Sequence, residues 1–126
     1  MNKKNVLVVD DDKNFRTLLS EKFKISGFNV FEATNGKEGL EKALESHPDI
    51  ILLDILMPIM NGWDMLKTLR ESGQWGKEVK IVMLTGVQGA GSVAKAIQDG
   101  SFVYLVKTEQ SIDSIVTKIE AMLKTD

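Results

Sequence analysis

A chain of 126 residues with 43% hydrophobic content has the size that closes one core, so a single domain is expected over residues 1–126. The absence of cysteine excludes a disulfide framework and any thiolate metal site, and nothing in the composition calls for an oxidising compartment. Eighteen acidic against sixteen basic residues leave a net charge of -2 with no long run of either sign, which offers no electrostatic footprint for direct nucleic-acid binding.

Residues 1–5 carry positive charge, but the apolar run behind them, Val6 to Val9, ends at Asp10-Asp11-Asp12. That is too short for a signal peptide or a membrane span, and a cytoplasmic location is expected. The run itself is valine-rich and continuous, the pattern of a strand buried on both faces. From Lys13 the period changes: Phe15, Leu18, Leu19, Phe23 and Ile25 recur at helical spacing, and Gly27 stands where a helix C-terminal glycine belongs.

The alternation then repeats. A weak strand is expected over Asn29–Ala33, a helix over Gly36–Ser46, and an apolar strand over Asp49–Leu53 ending at Asp54. A helix from Gly62 to about Glu71, a strand over Val79–Leu84, a helix over Ser92–Gln98, a strand over Phe102–Val106 and a helix over Ser111–Leu123 follow. Five strand-helix units with buried-type strands predict a doubly wound α/β fold, because parallel crossovers need helices and are right-handed. No linker, repeat or low-complexity stretch interrupts the run, and no output domain is expected in this chain.

In open α/β sheets ligands bind beyond the C-terminal strand ends, near the switch in strand order. Here those ends carry Asp10 and Asp11, Asp54, Thr85 and Lys107. Carboxylates gathered this way repel unless a cation joins them, and an all-oxygen set suits Mg²⁺ better than zinc. A lysine ammonium and a threonine hydroxyl beside such a metal suit phosphoryl oxygens, which together describe a phosphoryl-transfer site. The competing reading, that these aspartates only cap the first helix, suits Asp12 best.

The stretches Val8-Val9-Asp10-Asp11, Asp54-Ile55-Leu56-Met57-Pro58-Ile59-Met60-Asn61-Gly62, Leu84-Thr85-Gly86 and Tyr104-Leu105-Val106-Lys107 resemble the CheY-like receiver family of two-component response regulators. The resemblance covers essentially the whole chain. It implies a flavodoxin-like five-stranded parallel sheet of order 2-1-3-4-5 and a phosphoacceptor switch, not a turnover enzyme. Asp54 would then be the phosphoacceptor. Mg²⁺ would be held by Asp10, Asp11, Asp54 and the Leu56 backbone carbonyl. Thr85 and Lys107 would bind phosphoryl oxygens, and Thr85 and Tyr104 would switch the face of the fourth helix, fifth strand and fifth helix. The implied partners are a histidine kinase or histidine phosphotransfer protein as donor, or acetyl phosphate, and a downstream protein target. Leu56 and Val87, two positions past the phosphoacceptor and the threonine, are apolar and imply a long-lived phosphoryl group.

The sequence departs from the family pattern at three places. Thr108 follows Lys107 where proline is usual, so a trans peptide is expected there. Asn61 stands where aspartate is frequent. Phe102-Val103 replaces small or polar residues, which predicts apolar surface beside Tyr104 and a docking or homodimer patch over Phe102, Val103 and Tyr104. The lone His47 is read as structural, Trp63 as partly packed at the start of the third helix, and Trp75 as a loop residue. A phosphorylation-free interaction module and a flavin- or nucleotide-binding enzyme are the alternatives. The intact aspartates argue against the first, and the lack of a Gly-x-Gly-x-x-Gly turn after the first strand argues against the second.

Overall fold

A computed structural model of the protein describes residues 3–86 and 102–124. Five strands, β1 (Asn5–Val9), β2 (Asn29–Ala33), β3 (Ile50–Leu53), β4 (Lys80–Thr85) and β5 (Val103–Val106), form one parallel sheet of order β2-β1-β3-β4-β5. The helices described are α1 (Lys13–Ile25), α2 (Gly36–Ser46), α3 (Gly62–Arg70), the short α4 (Gln74–Glu78) and α5 (Ile112–Lys124). Most predicted boundaries differ from these by a residue at most. The expected helix over Ser92–Gln98, and Val87, lie outside the described residues. Helix α4 was not expected: it places Trp75 in a helical turn, not in the loop read from its flanking glycines.

The strands are buried on both faces because their side chains alternate between two cores. Leu7, Val9, Ile51, Leu53, Ile81 and Met83 join Ala43 of α2 and Met65, Leu66 and Leu69 of α3 on one side. Val6, Val8, Ile50, Leu52, Val82 and Leu84 join Leu19 and Phe23 of α1 and the α5 stripe Ile115, Val116, Ile119 and Leu123 on the other. Each such side chain taken fully from water stabilises the fold by roughly 1.5–3 kcal/mol before chain entropy is counted. Among the described residues no helix is long and apolar enough to cross a membrane.

Local signals set the helix ends. Asp12, Asn35 and Asn61 accept hydrogen bonds from the backbone N–H groups of Phe15, Glu38 and Asp64, at 3.2, 2.9 and 2.9 Å. Helix α1 closes with Gly27 at φ 96°, its N–H donating to Lys24 and the Phe28 N–H to Phe23, while the Phe23 and Phe28 rings meet edge to face at 5.0 Å. His47 ends α2 at φ 46° and stacks on Trp75 at 4.1 Å, a packing contact.

At the start of α2 the Glu38 carboxylate accepts from the Thr34 backbone N–H at 2.6 Å and from its hydroxyl at 3.0 Å. The backbone hydrogen bond foremost, with smaller help from the hydroxyl and the Lys42 and Arg16 charges, holds this carboxyl below its ordinary value of 4.5. A lowered folded value means stability that is complete above the ordinary value and lost as the pH falls through the lowered one. Glu38→Gln should therefore cost about 0.5 kcal/mol at pH 7, a modest figure because the group is solvent-screened. Denaturant melts should show the difference closing in acid, and a gap that widens there would contradict the capping role.

Candidate functional site

The site follows from strand order. The chain leaves β1 toward β2 on one side and returns to β3 on the other, so a crevice opens where the two crossovers part. Because Val9 pairs with Leu53, the residues that follow them, Asp10 and Asp54, leave the sheet side by side. The Asp10 N–H donates to Ala33 and the Asp54 N–H to Val9, each at 3.0 Å, so both backbones are still held by the ladder. Asp10 and Asp54 are buried and Asp11 is exposed. One carboxylate oxygen of each of the three lies within 4.8 Å of the others.

Lys107 opens a 3₁₀ turn (Lys107–Glu109) directly after β5, and among the described residues no peptide bond is cis. Its ammonium lies 2.6 Å from Asp10 Oδ2 and 3.7 Å from Asp54 Oδ2. The ring of Phe15, in the first turn of α1, lies beneath the same ammonium at 4.5 Å from its centroid. Helical spacing places Phe15 in the apolar repeat of α1, but it reports which face a side chain shares and not which cation comes to rest on it. Thr85 closes β4 opposite Val106, so its backbone reaches the same edge. Leu56 lies two residues past Asp54 in an exposed bend, 65% accessible.

Each carboxylate is further fixed by the backbone. Asp10 Oδ1 accepts from the Asp12 N–H at 2.9 Å, and Asp54 Oδ1 from the Ile55 N–H at 2.8 Å. Burial pushes the Asp10 carboxyl above its ordinary range; the Lys107 ammonium and the Asp12 N–H work against that rise, and Asp11 adds a smaller upward push. Asp12 itself caps α1, so the capping explanation of the acidic run holds for that residue and leaves Asp10 and Asp11 facing the crevice.

An all-oxygen donor set with one buried carboxylate destabilised by desolvation fits a hard divalent cation such as Mg²⁺. Among the described groups here, the lysine ammonium is the positive charge that balances the cluster. Lys107→Met should therefore cost about 2 kcal/mol in chelator, because it strips the counter-charge from a buried carboxylate. Added Mg²⁺ should then stabilise this variant more than the parent. Urea melts with and without Mg²⁺ test this, and equal stability of the two proteins in chelator would rule out the balancing role.

The switch and docking residues fall differently. Tyr104 lies opposite Met83 in β5 and is half-buried against the α2–α3 side of the core. Phe102, expected as exposed apolar surface, is buried at 8% and meets Trp63 edge to face at 5.5 Å. Of the trio proposed as a homodimer patch, Val103 alone is exposed, at 42%. The ring at 102 packs against Trp63, a pairing between residues far apart in the chain.

Comparison with known proteins gives a consistent result. The family model of the response regulator receiver domain matches residues 6–120. The transcriptional regulatory protein CpxR of Escherichia coli is 36% identical over 124 residues, covering 98% of this chain and 50% of CpxR. The chain thus spans half the length of that relative, and 22% of the regulatory protein AtoC of the same organism, at 33% identity over 81% of this chain. The Francisella response regulator 1452 receiver domain superposes with a TM-score of 0.85 at 28% identity, covering 98% of each chain.

Proposed function

Because this chain belongs to the response regulator receiver domain family, we propose that it is a magnesium-dependent phosphoacceptor switch in which Asp54 takes the phosphoryl group. The observation that supports this most is the convergence of Asp10, Asp11 and Asp54 within 4.8 Å, with the Lys107 ammonium against two of them. An Asp54 carboxylate oxygen attacks phosphorus as the bond to the donor's imidazole nitrogen, or to acetate oxygen in acetyl phosphate, breaks. Mg²⁺, held by Asp10, Asp11, Asp54 and the Leu56 carbonyl, would supply positive charge for the carboxylates and the phosphoryl oxygens. Lys107, already at the crevice, exchanges carboxylate contacts for a phosphoryl oxygen, and Thr85 supplies a hydroxyl from the end of β4.

The donor is a histidine kinase or histidine phosphotransfer protein, and the output is a protein target that reads the face carrying β5 and α5. Tyr104 reports the switch: the phosphorylated form favours one of two arrangements by contacts available only there. Exposed, apolar Leu56 offers no hydrogen bond to an attacking water, which supports a long-lived phosphoryl group. Intact-mass spectrometry after acetyl phosphate treatment tests the reading. One phosphoryl group should be gained with Mg²⁺ and none in chelator, and a protein that stays unmodified under both conditions would be an interaction module of the same fold.

A further inference from the structure

Arg16 breaks a local rule. It is the fourth residue of α1, in the turn where the helix dipole disfavours cations, and no acidic residue accompanies it in that turn. Side chains on a helix lean toward its N-terminus, so the guanidinium reaches back over the β1–α1 loop. There Nη1 donates to the backbone carbonyl of Asp10 at 2.7 Å, and Nε donates to Glu32 Oε1 of β2 at 3.0 Å. The side chain is only 12% accessible. The pairing of β1 with its neighbours ends at Val9, so the Asp10 carbonyl lies just past the ladder.

We propose that Arg16 is a positioning residue of the phosphoacceptor site, its guanidinium fork bracing the Asp10 carbonyl against Glu32 so that Asp10 and Asp11 are presented to the cation at a fixed angle. This rests on the magnesium-dependent reading above. With the Arg16 bond, Asp10 is held at four points: its N–H on Ala33, its carbonyl on Arg16, Oδ1 on Asp12 and Oδ2 on Lys107. Two N–H groups at a rigid angle span one acceptor just past the end of β1 and one on β2, which the point charge of lysine does not reproduce. Glu32 also offsets a positive charge placed beside a cation site. Its own backbone carbonyl accepts from the Lys42 ammonium, which ties the brace to α2.

Charge and geometry predict opposite outcomes, which makes the proposal testable. Removing a nearby cation should tighten Mg²⁺ binding if charge alone matters, and weaken it if Arg16 sets geometry. Isothermal titration with Mg²⁺ alone should show Arg16→Lys, which keeps the charge, and Arg16→Met, which does not, both binding about tenfold more weakly, the usual scale for groups that orient metal ligands. Glu32→Gln, which leaves the guanidinium on Asp10 but loosens its brace, should weaken binding less and serves if the arginine variants fold poorly. In chelator, the Asp12 N–H resonance should shift and exchange faster in Arg16→Lys while strand resonances hold. An unchanged Mg²⁺ affinity in Arg16→Lys, or a tighter one in Arg16→Met, would overturn the positioning role. A parent protein that binds no Mg²⁺ would overturn the functional reading first, with the Asp12 resonance then showing whether the brace exists without it.

Discussion

Asp54→Ala should abolish the gain of a phosphoryl group from acetyl phosphate, whereas Asp12→Ala should retain it. Asp10 is a poor substitute nucleophile, since the Lys107 ammonium lies 2.6 Å from its Oδ2, against 3.7 Å for Asp54 Oδ2, and occupies the oxygen that its backbone bond leaves over. Asp11 is exposed and sits on the loop beyond β1, with its charge open to solvent, whereas Asp54 is buried at the end of β3. Asp12 spends its carboxylate on the cap of α1, so its loss should cost about 1 kcal/mol of stability and none of the chemistry.

The same variant carries a stability signature. Two like charges about 5 Å apart repel by about 3 kcal/mol at an effective dielectric of ~20, and among the described residues Asp54 has two such neighbours, Asp10 and Asp11, whose repulsion the Lys107 ammonium offsets in part. That excess repulsion exceeds the roughly 1 kcal/mol of a lost hydrogen bond from Ile55. In chelator Asp54→Ala should therefore be at least as stable as the parent. Intact-mass spectrometry and chelator melts on one preparation decide both points; stoichiometric labelling of the alanine variant would remove Asp54 from its role, and clear destabilisation would argue against a strained cluster.

Gly62→Ala should be the most damaging single-methyl change near the site. A Cβ at Gly62 would lie 2.1 Å from the Asp54 carbonyl oxygen and 3.0 Å from the Ile55 Cα. These are backbone atoms at the end of β3, and the Gly62 N–H donates to the Ile55 carbonyl at 2.8 Å, so neither side yields cheaply. Overpacking ordinarily costs about 1–3 kcal/mol, and contact with backbone places this case at the upper end or beyond. A melting point lower by on the order of 10 °C is expected. Any protein that still folds should take up phosphoryl groups more slowly, because α3 can relieve the clash only by pushing on the residue that carries the acceptor. Calorimetry together with the labelling rate tests this, and a variant with parental melting temperature and rate would show that the close approach is not needed.

Much of the fold was legible in residues 3–86 and 102–124 because its signals are local. Valine and isoleucine runs without alternation mark strands covered on both faces, and Asn35, Asn61 and Gly27 mark helix ends through bonds spanning a turn. Helix α4 escaped for the converse reason. Its five residues are too few to show a period, and no side chain caps it at Gly73.

The sequence by itself determined the strand-helix order, the caps, and the chemical identity of the donors at the strand ends. Only the tertiary structure decided who meets whom. Strand order made neighbours of Asp10 and Asp54, the turn after β5 brought Lys107 onto Asp10 and over Phe15, and the lean of α1 sent Arg16 back to the Asp10 carbonyl. It also set Phe102 edge to face against Trp63, so that of the expected apolar patch Val103 alone is exposed. Propensity and capping act over one turn of backbone, whereas these contacts depend on which strands lie side by side and how far a particular side chain reaches.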